Sequence, residues 1–304
     1  MKKIHYIILF TVLLFTVHSN AQQTPLFSEY NYNTFMINPA YAGLHNNTEL
    51  VLSNRGYLNS FDGSPKNISL SINAPIEKKD IGLGAGVMAD EIGVTTITNL
   101  FAAYSYKIEF DHKNNRPDYE LYYMNVLSFG ITAGIQFYAD NLLQLGIDDD
   151  PDFDHNIHAA IPTIGAGIMY NKENFFAGFS SPNLIGDLLS SSDEVDLKNT
   201  YYGYFGYHFF GNQFNEYIIK PSVFVKYQQG APFQVDLNMA VNYKNKVEVG
   251  AGYRTTSSAN FLLGFYIFDN WRLVYNYNQA LGDSLLSSTH GISLSYRFGS
   301  GYNL

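Results

Sequence analysis

The stretch "FQVDLNMAVNY", Phe233–Tyr243, alternates large apolar side chains with polar or small ones without interruption. Every odd-numbered residue from 233 to 243 is apolar, whereas the even-numbered ones are Gln, Asp, Asn, Ala and Asn. Successive side chains of a β-strand point to opposite faces, so this period of two predicts a strand with one apolar and one polar face. The same pattern recurs at residues 68–74 and 292–298. The chain is therefore predicted to be all-β.

Counting such runs gives about fourteen antiparallel strands. They are predicted at residues 48–55, 67–75, 82–90, 95–108, 124–138, 162–170, 174–181, 200–209, 216–227, 233–243, 247–254, 260–268, 271–277 and 291–298. Many of them approach the nine to eleven residues that a tilted strand needs to cross the hydrocarbon layer of a membrane.

Two all-β architectures fit this pattern. A soluble sandwich buries the apolar faces against a second sheet, whereas a transmembrane outer-membrane β-barrel turns them toward lipid. Charged residues make up only 15% of the chain, whereas soluble proteins average about 25%. The chain also has 25 Tyr and 23 Phe, many of them near strand ends, as in the aromatic girdles of membrane barrels. The barrel is favoured, and the sandwich remains the alternative.

The lengths of the connections agree with a barrel whose two termini are periplasmic, because outer loops are then long and inner turns short. Short inner turns are expected at residues 77–80, 171–174, 244–246 and 269–270, and long outer loops at 139–161, 182–199 and 278–290. One connection departs from this rule, since Glu109–Tyr123 is long on the expected periplasmic side. It is either a longer turn or a contact surface for a periplasmic partner.

The N-terminus carries a targeting pattern. Lys2 and Lys3 precede an apolar run, and Ser19 and Ala21 occupy the small-residue positions of a cleavage site. We expect residues 1–21 to be a signal peptide, 22–46 an N-terminal periplasmic or lumenal segment, and 47–304 the transmembrane barrel. Apolar residues in "NTFMINPAYAGLHNN", 33–47, suggest that this segment packs into the periplasmic mouth of the lumen or against a partner.

Little in the sequence points to chemistry. The absence of cysteine excludes disulfides and thiolate metal sites, and the net charge of −9 argues against nucleic acid as a partner. The histidines are scattered outside any recognisable nucleophile frame, so no enzymatic activity and no cofactor are predicted. The loop "IDDDPDFDHNIH", 147–158, is dense enough in Asp to hold Ca²⁺, but its spacing differs from an EF-hand, and a solvated acidic loop is the ordinary interpretation.

A family resemblance begins at "QQTPLFSEYNYNTFMINPAYAG", Gln22–Gly43. With its Asn-Pro-Ala-Tyr-Ala-Gly motif, this stretch resembles the mature N-terminus of the PorP/SprF outer-membrane proteins of type IX secretion in Bacteroidota. The stretches "GLGAGVMADEIG", "KPSVFVKYQQGAPFQVDLNM", "GAGYRTT" and "THGISLSYRF" follow in the family's order. The resemblance therefore covers nearly the whole chain after residue 21.

The resemblance implies a non-enzymatic outer-membrane barrel that assists the export or surface anchoring of a large partner protein, such as an adhesin. Its other expected partners are periplasmic type IX secretion components and outer-membrane lipid. A passive or substrate-selective pore is the alternative. The candidate partner-binding residues lie in the N-terminal motif and two outer loops: Asn38, Pro39, Tyr41, Gly43, Asp148, Asp149, Asp150, Asp152, Phe153, Asp154, Leu184 and Ile185.

Overall fold

The computed structural model describes residues 30–57, 63–76, 80–110, 125–147, 150, 153–172, 174–185, 198–211, 216–255, 258–281 and 288–302. Fifteen strand segments follow in order: β1 (Glu49–Arg55), β2 (Lys66–Ile76), β3 (Ile81–Ile92), β4 (Thr95–Glu109), β5 (Asn125–Asp140), β6 (Ile157–Lys172), β7 (Phe175–Ser181), β8 (Thr200–Tyr207), β9 (Phe209–Phe210), β10 (Tyr217–Gln228), β11 (Gln234–Tyr243), β12 (Val247–Arg254), β13 (Ser258–Ile267), β14 (Trp271–Ala280) and β15 (Thr289–Arg297). Three short 3₁₀ turns occur at Thr34–Met36, Pro39–Tyr41 and Leu142–Leu145.

These segments form one closed antiparallel barrel. Apart from β8 and β9, which both pair with β10, each strand pairs with its neighbour in sequence, and β1 pairs with β15 to close the ring. The two-residue β9 continues β8 beyond His208 and pairs with β10. With β8 and β9 counted as one strand, the barrel has fourteen strands, which confirms the predicted number. The first residue of β1, Glu49, and the last residue of β15, Arg297, lie opposite each other at the same rim of the barrel. We call that rim the turn end and the opposite rim the loop end.

Burial in this barrel is inverted relative to a soluble protein. On β2 the outward side chains of Ile68, Leu70 and Ile72 are exposed, whereas Ser69 and Ser71 between them are buried. On β11, Leu237 is half exposed while Asp236 is completely buried. An apolar outer belt around a polar interior is the arrangement of a barrel in lipid. In the parts of the chain that the structure describes, no helix has the length and apolar character needed to span a bilayer.

The strand ends differ from expectation by a few residues at several places, and two of these differences have a structural interest. β6 begins at Ile157, five residues before the predicted start at 162, and β8 stops at Tyr207 rather than running through 209. The early start of β6 is possible because Pro162 lies on a side of the strand where its missing N–H breaks no hydrogen bond to β5. Residues 111–123 of the long connection Glu109–Tyr123 lie outside the described residues.

Candidate functional site

The lumen contains an internal segment, residues 30–47, which we call the plug. Its side chains and backbone bond to Ser71 on β2, Ser105 on β4, Ser180 on β7 and Glu248 on β12. These strands are distributed around the whole ring, so one short segment contacts all of them only from inside the barrel. The two 3₁₀ turns Thr34–Met36 and Pro39–Tyr41 keep the plug compact.

Asn38 fixes the centre of the plug. Its backbone is extended, as expected before a proline, and its Oδ1 accepts a hydrogen bond from the Ala40 N–H at 2.9 Å. Its Nδ2 donates to the Tyr204 hydroxyl at 2.9 Å and to the Ile168 carbonyl at 3.1 Å. Pro39 takes the first position of the following turn, where no N–H is needed. The Asn-Pro pair therefore both starts the turn and attaches it to the wall.

Gly43 ends the motif with a backbone that only glycine adopts easily. Its φ is +60°, and a Cβ there would lie 2.7 Å from the Ala74 carbonyl oxygen. Its N–H donates to Asn73 Oδ1 at 3.2 Å, and its carbonyl accepts from Lys107 Nζ. The glycine lets the plug pass against β2 on its way to β1.

Glycines on the wall make room for the plug. A Cβ at Gly82 of β3 would lie 1.9 Å from the Ala42 carbonyl oxygen, and one at Gly130 of β5 would lie 2.3 Å from the Ala40 nitrogen. Real Cβ atoms do not approach backbone this closely. These wall glycines thus leave room for the plug backbone.

Apolar contacts complete the packing of the plug. Phe35 is 1% exposed, and its ring lies 5.6 Å from that of Phe101 on β4. Tyr30 stacks on Phe224 of β10 at 4.2 Å. Apolar side chains buried in an otherwise polar lumen give the plug a hydrophobic contribution to its docking.

An ion cluster holds the plug at the turn end. Glu49 Oε1 accepts hydrogen bonds from the Tyr302 hydroxyl at 2.7 Å and from Arg297 Nη2 at 3.1 Å, and Arg272 Nη2 lies 3.4 Å away. Both guanidinium groups stack on the Tyr302 ring, at 4.2 and 4.7 Å from its centroid. Arg272 Nη2 also donates to the carbonyl of Tyr32 in the plug at 2.7 Å. The C-terminal residues and the plug are thereby joined in one network.

A second network surrounds Glu248 of β12. Its carboxylate accepts from the Tyr32 hydroxyl at 2.7 Å, the Tyr266 hydroxyl at 2.8 Å and Lys220 Nζ at 3.1 Å. Nearer the loop end, the Arg254 guanidinium donates two hydrogen bonds, of 2.8 and 2.7 Å, to the Asp236 carboxylate. The Arg254–Asp236 pair joins the neighbouring strands β12 and β11, and the Lys220–Glu248 pair joins β10 and β12.

The sequence did not single out Glu49 or Tyr302. Glu49 has the same parity as Val51 and Ser53, which also face the lumen, so its position was readable from the alternation of β1. Tyr302 gave no such signal, because it lies beyond the last strand and reaches the lumen through the positive-φ Gly301.

His45 is the histidine of the plug, and the charges of the ion cluster act on it. Burial and the charge of Arg297 lower the pKa of its imidazole to about 3, while Glu49 acts in the opposite direction. Its Nε2 shares a 2.9 Å hydrogen bond with the Tyr41 hydroxyl, and Nδ1 has no hydrogen-bond partner among the described residues. Docking of the plug therefore favours neutral His45.

A cavity of about 180 Å³ remains beside the plug. It lies between plug residues such as Tyr32 and His45 and the inner face of β11–β13, where Ala240, Gly250 and Gly252 leave space. The plug thus leaves part of the lumen beside β11–β13 unfilled.

The candidate residues from the sequence fall into two groups. Asn38, Pro39, Tyr41 and Gly43 lie together in the plug. The others lie on connections at the loop end: Asp150, Phe153, Asp154, Leu184 and Ile185 are described, whereas Asp148, Asp149 and Asp152 lie outside the described residues. Among the residues with described positions, no cluster of three or more His, Asp or Glu side chains suits a metal ion.

A closed barrel with an apolar outer belt and an internal plug defines a class, the plugged outer-membrane β-barrel proteins. Residues 19–296 match the family described as type IX secretion system membrane protein PorP/SprF, and the chain belongs to that family. It is accordingly an outer-membrane protein of type IX secretion.

Similar solved structures are also barrels. BamA from Haemophilus ducreyi lacking POTRA domains 1–3 is 10% identical with a TM-score of 0.45, over 84% of this chain and 70% of that one. Outer membrane phospholipase A from Escherichia coli is 11% identical with a TM-score of 0.37, over 88% and 96%. KdgM porin is 10% identical with a TM-score of 0.37, over 83% and 99%. The comparison with curated proteins found no match.

Proposed function

We propose that this protein is a non-enzymatic accessory barrel of type IX secretion that assists the export of a large partner protein, such as an adhesin, or anchors it at the cell surface. The observation that carries the proposal is the plug, because it occupies the lumen with buried hydrogen bonds to strands around the ring. A barrel filled in this way is suited to binding at its two rims rather than to conducting solutes.

The two rims suit different partners. The loop end carries the long acidic connections 141–156 and 182–199, which we assign to the exported protein. The turn end carries the C-terminal residues and the entry of the plug, and we assign it to periplasmic components of the secretion system. Lipid surrounds the apolar belt between the rims.

A clean deletion of the gene tests the proposal. The expected result is that one or more large surface proteins are retained in the cell or released to the medium, and that the plasmid-borne gene restores their display. Surface proteins are identified by protease shaving of intact cells. An unchanged surface profile in the deletion strain refutes the accessory role.

A pore is the second candidate, and the cavity beside the plug is the observation that favours it. Conductance of the purified barrel in a planar bilayer separates the two functions. A plugged accessory barrel is expected to be silent, whereas a pore gives steady conductance without any displacement of the plug.

A further inference from the structure

The loop-end half of β6 extends beyond its neighbour. β6 pairs with β5 along its whole length, up to Asp140 opposite Ile157. Its ladder with β7 ends at Ala166 opposite Ser181, and a hydrogen bond of 2.8 Å from the Leu184 N–H to the Ile164 carbonyl adds one more contact. Within the described part of the chain, residues 157–163 therefore have strand pairing on one side only.

The direction of the free backbone groups follows from two residues. The Ile164 carbonyl bonds toward the β7 side, and Pro162, with no N–H, must face away from β5. Even-numbered residues of this stretch thus direct their backbone groups to the open side, and odd-numbered ones bond to β5. His158 and Ala160 each present an N–H and a carbonyl there, and Pro162 presents a carbonyl.

The open edge lies at the membrane surface. Ala160 is opposite Phe137, whose outward ring is 46% exposed at the loop end of β5, where an aromatic girdle is expected. An open strand edge is a template for another strand. This edge therefore favours an added strand.

The surroundings indicate what kind of strand fits. Residues 139–161 contain six Asp and no Lys or Arg, and residues 182–199 contain three Asp, one Glu and one Lys. Above the edge, Leu143, Leu145 and Ile147 expose between 43% and 56% of their surface. An acidic rim with aliphatic side chains suits a basic segment that also carries apolar residues. It disfavours a second copy of this chain, because two acidic rims would repel each other.

We infer that the edge at residues 158–162 is a strand-addition site for a basic, extended segment of the exported partner. This inference rests on the accessory function proposed above. Main-chain hydrogen bonds supply the affinity of such an added strand, and the acidic rim selects its charge.

Amide hydrogen exchange of the full-length protein in detergent tests whether the edge is free. The amides of His158 and Ala160 are expected to exchange at least tenfold faster than those of Ala159 and Ile161, which bond to β5. Equal protection of all four would mean that the chain covers its own edge, and it would overturn the inference.

A peptide of alternating Thr and Val with two Lys at each end serves as the binding probe. Ala160→Pro removes one edge N–H without touching the β5 ladder and is expected to weaken binding about tenfold, whereas Ala160→Val keeps the N–H and the affinity. A matched peptide with Glu in place of Lys is expected to bind at least tenfold more weakly. Heat-modifiable gel mobility verifies that both variants fold. Equal binding to the Pro and Val variants, or to both peptides, overturns the inference.

Complementation of the deletion strain separates the inference from the function on which it rests. Loss of surface display with Ala160→Pro, together with normal display with Ala160→Val, supports strand addition. If the deletion strain has lost surface display and Ala160→Pro restores it to normal, strand addition is overturned and the accessory function stays intact. No display defect in the deletion strain itself refutes the function.

Discussion

The substitution Gly130→Ala tests whether the plug depends on the wall glycines. A Cβ at this position would lie 2.3 Å from the Ala40 nitrogen and from the Pro39 carbonyl carbon, whereas ordinary contact begins at 3.4 Å. The new methyl group therefore requires the centre of the plug to move by about 1 Å. Backbone cannot yield as the end of a flexible side chain does, so the plug must leave its position or distort β5.

The magnitude follows from the contacts that this shift disturbs. Overpacking costs typically about 1–3 kcal/mol. The shift also weakens the 2.9 Å bond from Asn38 to Tyr204 and the 2.6 Å bond from Ser180 to the Ile37 carbonyl, each worth about 1 kcal/mol. A total near 3 kcal/mol changes the population of the undocked plug roughly 150-fold.

Thiol labelling measures that population. The chain contains no cysteine, and Ile37 is 4% exposed, so Ile37→Cys supplies one buried thiol in the plug without adding volume. Maleimide labelling of this thiol is expected to be about 100-fold faster when Gly130→Ala is also present. Gly203→Ala is the matched control, because a Cβ there meets nothing within 4 Å, and it should leave the rate within about twofold.

Two results would refute the reasoning. One is labelling in the Gly130→Ala background that is as slow as in the Gly203→Ala background. The other is equally fast labelling without either substitution, because the plug would then be undocked in the native protein. Bilayer conductance provides a second readout, since displaced plugs should produce openings that the control lacks.

Three further predictions concern charges and caps. Glu49→Gln leaves two buried arginines without their anion, and it should lower the free energy of unfolding in urea by about 3–5 kcal/mol. Glu216 is partly exposed, so Glu216→Gln should lower it by at most about 1 kcal/mol. Equal losses in the two variants would contradict the role given to the buried Glu49. Because the docked pKa of His45 is about 3 against 6.5 when undocked, docking should weaken as pH falls from about 6.5 toward 3. The labelling rate of the plug thiol, divided by that of a free thiol at the same pH, should therefore rise over that window; an unchanged profile in His45→Asn would exclude this histidine. Asn38→Ala removes three hydrogen bonds and should accelerate labelling at least tenfold, whereas no change would show that the cap is dispensable.

The barrel was predictable because its signal is local. The period of two identifies each strand from its own residues. About fourteen strands, each with one apolar face, are compatible with few architectures, and a membrane barrel is one of them. Strand ends were less certain for a physical reason. Pro162 suggested the beginning of β6, yet the strand continues to Ile157, because a proline on an open edge breaks no hydrogen bond.

The lumenal networks were only partly predictable. The alternation placed Asp236 on the polar face of its strand, but it could not pair Asp236 with Arg254, since such partners are set by the register between strands. The Tyr302–Glu49 bond joins residues 253 positions apart and depends on a turn after the last strand. The plug residues were recognised by their apolar character. The sequence did not predict that the glycines of the wall would contact the plug.

The plug and the open edge share one strand. Asn38 bonds to the Ile168 carbonyl on β6, and Gly167 contacts the Asn38 side chain, while the edge at 158–162 lies on the same strand toward the loop end. A strand added there that shifts β6 must also change the docking free energy of the plug. Linkage makes this effect reciprocal: the factor by which a bound peptide changes plug occupancy equals the factor by which plug displacement changes peptide affinity. Thiol labelling at residue 37 with and without the basic peptide measures the first factor, and peptide binding to the Gly130→Ala variant measures the second. A factor of one in both measurements would show that the two sites are not coupled.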